Sequence, residues 1–166
     1  MKKAEAGFAP VQINDIIEEV IKLTHSEFVI ENVSLSKQLA KGLATVAGER
    51  IQLQQVFINL IMNAIDAMRA SQTKTLHIST VQHDANNVLI CVRDSGAGFT
   101  EEHRGSLFKP FFTTKKEGMG MGLSVTRTII KAHGGEICAD NNKDAGASFY
   151  ITLPICKERP HASVNQ

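Results

Sequence analysis

Two glycine clusters fix where the regular elements of this chain must stop and start. The first is Asp94-Ser95-Gly96-Ala97-Gly98-Phe99; the second is Gly118-Met119-Gly120-Met121-Gly122-Leu123. Glycine reaches backbone angles that other residues avoid and lets a ligand or a second backbone approach closely. The first cluster follows the apolar run Val88–Arg93, so it ends a strand and leaves the carboxylate of Asp94 at the strand tip. The second precedes Val125, Ile129 and Ile130 at helical spacing, so it opens a helix. Free N–H groups at such a helix start suit phosphate. The stretch between, from Phe99 to Met121, has no clear period and is long for a connection in a compact domain, which predicts a functional lid.

Helical and strand periods alternate along the rest of the chain. Asn14 is the expected N-cap of a first helix carrying Ile16, Ile17, Val20, Ile21, Thr24 and Phe28. Val33, Leu35 and Leu39 alternate as a strand. Gly48-Glu49 lead into a second helix with the apolar face Leu53, Val56, Phe57, Leu60, Ile61, Ala64, Ile65 and Met68. Strands follow at about Leu76–Gln82 and Val88–Arg93, with Asn86-Asn87 as their turn. A helix from Gly122 to His133 ends at Gly134-Gly135. Glu136–Ala139 and Ser148–Leu153 close as a strand pair around a polar turn at Asn141–Gly146. Helices interspersed with strand pairs predict an α+β, two-layer α/β sandwich.

Composition mainly excludes. A chain of 166 residues suits one core, and a net charge of +1 gives no argument for nucleic acid, an acidic partner or a membrane surface. No apolar run approaches the ~20 residues that span a bilayer. Cys91, Cys138 and Cys156 lack metal-ligand spacing. Cys91 and Cys138 fall in strand-like runs and are expected to be buried free thiols, which suits a reducing cytosol. Met1-Lys2-Lys3 is followed by alanines and a glycine rather than the apolar core of a secretion signal, and the start reads as a cut inside a longer protein. His25, His77, His83, His103, His133 and His161 are scattered without ligand spacing and read as structural or solvated.

Four groups of residues carry possible chemistry, each with a plainer alternative. Asn59 and Asn63, one helical turn apart, share a face that Asp66 continues. They read either as capping or solvent-facing side chains, or as cleft amides whose oxygens serve a hard cation such as Mg²⁺, which also takes substrate phosphates. Asp94 with Gly96 and Gly98 is either an ordinary turn or an acceptor for the exocyclic amine of a purine lying against bare backbone. Phe108 through Lys116 is either an apolar patch with solvated lysines or a lid anchored by its rings, with Lys115 reaching a terminal phosphate. Gly118, Gly120 and Gly122 are either a hinge or a phosphate cradle; no P-loop or dinucleotide spacing accompanies them.

Taken in order, these groups resemble a known set. Asn59-Leu60-Ile61-Met62-Asn63-Ala64, Asp94 through Gly98, Phe108 through Lys115, and Gly118 through Leu123 resemble the N box, first glycine box, F box and second glycine box of sensor histidine kinases. Gly146-Ala147-Ser148-Phe149 resembles the final glycine motif before the last strand. The resemblance covers about Pro10 to Pro154 and is similar to the catalytic ATP-binding domain of the superfamily that includes gyrase B, the heat-shock ATPase chaperones and the MutL proteins. The Pro110–Lys115 form is most similar to the nitrogen- and oxygen-sensing branch.

That resemblance implies a Bergerat fold: a mixed, mostly antiparallel sheet, about three main helices and an ATP lid. It divides the chain into a linker remnant at 1–9, the catalytic domain at 10–154 and a polar tail at 155–166. It implies ATP and Mg²⁺, with Asn63 as metal ligand and Asn59 beside the same phosphates. Asp94 would receive the adenine amine beside Gly96 and Gly98. Thr113, Thr114 and Lys115 would belong to the lid, and Gly118, Gly120, Met121, Gly122 and Leu123 would meet phosphates. Asp66, Phe108 and Ser148 complete the nucleotide set, and Lys115 and Asn59 are the implied catalytic residues. Lys109, Met119, Met121 and Ser148 depart from the commoner residues of the motifs.

In relatives that hydrolyse ATP with water, a glutamate base typically stands at the position of Asn59, and an amide cannot take a water's proton. The resemblance therefore implies transfer to a protein histidine. His25, followed by Ser26-Glu27, does not match a phosphoacceptor. The implied partners are the dimerisation and phosphoacceptor domain of the same kinase and a response-regulator receiver domain, in the cytoplasm, with neither nucleic acid nor direct membrane contact. The rival readings are a water-using ATPase, a nucleotide-responsive binding module without transfer, and a serine kinase of the anti-sigma type.

Overall fold

The helix from Arg50 to Ala67 organises the molecule because its apolar residues recur three and four apart along one side. Leu53, Val56, Phe57, Leu60, Ile61, Ala64 and Ile65 are all buried there. In the computed structural model, which describes residues 7–112 and 122–157, this is the third helix in chain order. The elements are β1 (Ala9–Val11), α1 (Ile13–Leu23), α2 (His25–Ile30), β2 (Ser34–Leu39), β3 (Val46–Gly48), α3 (Arg50–Ala67), β4 (Thr75–Gln82), β5 (Asn87–Asp94), α4 (Glu101–Arg104), α5 (Gly122–Ala132), β6 (Glu136–Asn141) and β7 (Ala147–Pro154).

Five strands form one sheet in the order β2-β4-β5-β7-β6. Only β2 and β4 run parallel; the remaining pairs are antiparallel. Alternation along the strands sends Leu76 and Ile78, Val88, Ile90 and Val92, and Phe149, Ile151 and Leu153 into the core under α1, α3 and α5. β1 and β3 make a separate antiparallel ribbon, with Ala9 opposite Gly48. The expected two-layer α+β sandwich with three main helices is the observed one. The described fold starts before Pro10, and after Pro154 Ile155 still bridges to Val46.

Glu49, at the point where the second helix was expected to begin, caps α3. Its carboxylate accepts from the N–H groups of Gln52 (3.0 Å) and Ile51 (3.3 Å). Glu49→Ala is expected to cost about 1 kcal/mol, lowering Tm by roughly 2–4 °C, and Glu49→Asp to restore part of it. Calorimetric melts check this, and an unchanged Tm in the alanine variant would remove the cap from the account.

Four local expectations are corrected. The cap of α1 is Gln12, whose side chain accepts from Asn14 N. Asn14 instead donates to Ala40 O (2.8 Å) and accepts from Thr80 Oγ1 (2.8 Å), tying α1 to the sheet. The first helix also breaks at Thr24, whose hydroxyl returns to Val20 O (2.8 Å), so Phe28 belongs to α2. The β4–β5 turn is built on Asp84, which accepts from Asn86 N (2.8 Å); Asn87 already lies in β5. Asn86 N also holds the Asp84 carboxyl below its ordinary value. Cys138 is exposed and Cys91 half-buried, because both face outward beside Tyr150 while Ile137 turns in.

Candidate active site

Asp94 ends β5 on its inward-facing side and is 3% exposed. Its Oδ1 accepts from Gly96 N (2.8 Å) and Ala147 N (3.2 Å). Its Oδ2 makes no hydrogen bond among the described residues. Burial pushes the carboxyl above its ordinary value, and the two N–H groups oppose that shift. A buried carboxylate with one satisfied and one open oxygen is an acceptor for a single donor from outside the chain.

The glycines around Asp94 are required by the protein's own contacts. A Cβ on Gly96 would lie 2.4 Å from Ala67 O at the end of α3. Gly98 has φ +74°, and a Cβ there would lie 2.6 Å from Asn141 Oδ1. Gly146 has φ +86°, and a Cβ there would lie 2.0 Å from Asp94 O. Ser148 is 1% exposed and donates to Asn142 Oδ1 (2.6 Å). It is the N–H of Ala147, its neighbour, that meets Asp94.

The other end of the site is written along α3. Asn59 is half-buried; its Oδ1 accepts from Gln55 Nε2 (2.7 Å) and its Nδ2 donates to Gly122 O (3.2 Å) and Thr126 Oγ1 (3.3 Å). It therefore ties α3 to the first turn of α5, where Gly122 and the half-buried Leu123 lie. Asn63, one turn on and half-buried, makes no side-chain hydrogen bond among the described residues. Asp66 is engaged by Arg69 (2.6 Å), which also reaches Glu31 (3.3 Å). Those two carboxylates raise the guanidinium's pKa. From Asn59 to Ala67 the axis of α3 runs about 12 Å at 1.5 Å per residue. A ligand lying along that edge would meet the Asp94 loop at one end and the start of α5 at the other.

Phe108 anchors the segment that leaves this loop. It packs edge-to-face on Phe149 (6.2 Å between centroids), and the Arg127 guanidinium lies 5.8 Å from its ring centre. Before it, α4 is pinned to β6 by Arg104, which pairs with Asp140 (3.0 Å) and stands 5.2 Å from the Phe99 ring. Thr113, Thr114, Lys115, Gly118, Gly120 and Met121 lie outside the described residues. Sequence reasoning missed Thr126, Asn141, Asn142 and Ala147. The polar turn was visible, but the identity of its partners was not.

The histidines are structural or exposed where described. His133, 5% exposed, accepts from Glu49 N at Nε2 (3.1 Å), bonds Ile129 O through Nδ1 (2.8 Å) and stacks on Phe8. Among the described residues no three His, Cys, Asp or Glu side chains gather as a metal site. A cation here would need an amide and ligand oxygens, which is the donor set Asn63 offers beside a phosphate.

Residues 48–157 match the family model described as histidine kinase-, DNA gyrase B-, and HSP90-like ATPase. The chain is 40% identical over 146 residues to the sensor protein FixL of Bradyrhizobium diazoefficiens, covering 88% of this chain and 29% of that protein. Among solved structures it is similar to the nucleotide-free catalytic domain of the histidine kinase ThkA, with TM-score 0.80, 32% identity, and coverage of 89% of this chain and 95% of that one. It is also similar to ThkA in complex with the response regulator TrrA, with TM-score 0.77, 30% identity, and coverage of 90% and 42%. The chain spans 29%, 16% and 27% of the length of three curated relatives it matches, FixL, TmoS and TdiS.

Proposed function

We propose a function from one premise: the chain belongs to the histidine kinase-, DNA gyrase B- and HSP90-like ATPase family, as an ATP-binding catalytic domain of the sensor histidine kinase kind. In our reading ATP lies along α3, with its adenine amine donating to Asp94 Oδ2 and its phosphates near Asn63 and the start of α5. The observation that carries this is the pair of acceptors that no described residue uses, Asp94 Oδ2 at one end of that edge and the Asn63 amide oxygen midway along it. Asn63 would hold Mg²⁺ through that oxygen, and the ion would neutralise phosphate charge.

Asn59 acts in this reading as a strut. Its amide N–H groups meet Gly122 O and Thr126 Oγ1, and an amide has no basic lone pair with which to activate water. That favours transfer of the γ-phosphoryl group to a protein histidine over hydrolysis. The acceptor would be a histidine on the dimerisation domain of the whole protein, and a response-regulator receiver domain would take the group onward. Lys115 would supply a positive charge at the terminal phosphate. The likeness to sensor histidine kinases supports a cytoplasmic place for this domain.

Two measurements test the reading. Calorimetric titration of the 166-residue chain with Mg-ATP is expected to show saturable binding, and a flat titration would sink the assignment. With labelled ATP the chain alone is expected to gain no acid-labile phosphate, whereas joined to its dimerisation segment it should. Label on the chain alone would move the acceptor into these residues.

A further inference from the structure

The loop that would read the base is held from two sides. On the α3 side, Ala97 N donates to Ala67 O (3.2 Å), and Ser95 Oγ accepts from Thr75 N and donates to Thr73 O, both at 2.9 Å. On the other side stand two adjacent asparagines where β6 ends. Asn141 uses both ends of its amide on one residue: Oδ1 accepts from Phe99 N (3.0 Å) and Nδ2 donates to Phe99 O (2.7 Å). Asn142 Nδ2 donates to Asp94 O and to Ala145 O, each at 2.9 Å.

The orientation of the Asn142 amide is itself fixed. Its Oδ1 accepts from the hydroxyl of Ser148, which is 1% exposed. A flipped amide would set its oxygen against two carbonyl oxygens, an arrangement with no donor between them. The pair thus grips the loop at its first residue, Asp94, and at its last, Phe99. Without it the loop keeps its α3-side ties, the Ala147 N bond to Asp94 Oδ1 and the Arg104 contact with Phe99, but its backbone is no longer held at Asp94 O and at both polar groups of Phe99.

We propose that Asn141 and Asn142 are positioning residues for adenine recognition, holding the Asp94–Phe99 loop at the angle where Asp94 Oδ2 meets the exocyclic amine, without touching the base. The proposal rests on the reading of Asp94 given above. It predicts a loss of discrimination rather than a uniform loss of affinity, because only the amine depends on that angle. Inosine triphosphate is the matched probe: it keeps the sugar and the phosphates and carries a carbonyl in place of the amine.

Titrations of ATP and inosine triphosphate into the parent, Asn142→Ala and Asn141→Ala chains test this. The parent is expected to prefer ATP. Each variant is expected to bind ATP about tenfold more weakly and inosine triphosphate unchanged, so that the preference falls about tenfold. A variant that melts cooperatively yet keeps the parent's preference, or loses both nucleotides equally, overturns the proposal. If Asn142→Ala does not fold, Ser148→Ala removes only the hydroxyl that orients the amide and carries the same expectation and the same refutation. A parent that binds ATP without preferring it would overturn the adenine assignment of Asp94 itself, and the proposal with it. That result is separable because it appears before any substitution is made.

Discussion

Asp94→Asn is expected to weaken ATP binding about a hundredfold while leaving the domain folded and, at neutral pH, more stable than the parent. Asparagine matches aspartate in shape, and its carbonyl oxygen can still accept from Gly96 N and Ala147 N. Its amide nitrogen then occupies the place of Asp94 Oδ2. A donor faces the amine donor of the base, and each is left unpaired in a buried site. Two such buried donors cost roughly 2–3 kcal/mol, which is the hundredfold. Calorimetry reads it directly, and an unchanged Kd would remove Asp94 from base recognition.

The stability half of that prediction follows from burial. Desolvation raises the Asp94 carboxyl in the fold above its ordinary value of 3.8, with the two N–H bonds opposing. A group raised on folding contributes stability that is complete below its unfolded pKa and is lost as pH rises through the folded one. At pH 7 the ionised carboxylate therefore burdens the fold, and the neutral amide relieves it. The variant should melt above the parent at pH 7, with the gap closing as pH falls toward the ordinary carboxylate range. A variant that melts below the parent at pH 7 contradicts the burial account. Binding and stability would then pull in opposite directions at one residue, as is common at sites built to meet a ligand.

How much of this was legible beforehand depends on how far each contact reaches along the chain. α3 was plain because its start at Gly48-Glu49 and its apolar stripe are both local patterns. Asp94 was legible as the tip of a strand, and the β4–β5 and β6–β7 pairs as alternations joined by short turns. The break at Thr24 was hidden because Val20, Thr24 and Phe28 stay in phase across it, so the apolar face continues while the backbone does not. The β1–β3 ribbon was invisible, since three residues a side are too few to show alternation. Cys138 looked buried because a strand at the sheet edge reads like one at its centre. The asparagine pair looked like any polar turn; its partners lie 42 and 48 residues upstream, and no local pattern carries that distance. Gly96 and Gly98 were expected to make room for a base, whereas here Ala67 and Asn141 already require them to be glycine.

Gly146→Ala is expected to be the most damaging single methyl in the described fold near the site. Two separate penalties meet there. The backbone stands at φ +86°, which costs a residue with a Cβ about 1–2 kcal/mol. The new Cβ would also lie 2.0 Å from Asp94 O and 2.8 Å from Asp94 Oδ1, so β5 and the turn before β7 must separate. That movement breaks the Ala147 N bond to Asp94 Oδ1 and strains the Asn142 bond to Asp94 O. A combined cost of about 3 kcal/mol or more corresponds to a fall in Tm of roughly 6–12 °C, together with loss of measurable ATP binding. Gly42 supplies the control. It also has positive φ, +67°, but a Cβ there meets nothing within 4 Å. Gly42→Ala should carry only the backbone penalty, lower Tm by a few degrees at about 2–4 °C per kcal/mol, and leave ATP affinity intact. Equal losses in the two variants would mean that backbone strain alone accounts for Gly146, and that the close approach of the two chain segments at Asp94 does not set the geometry of the site.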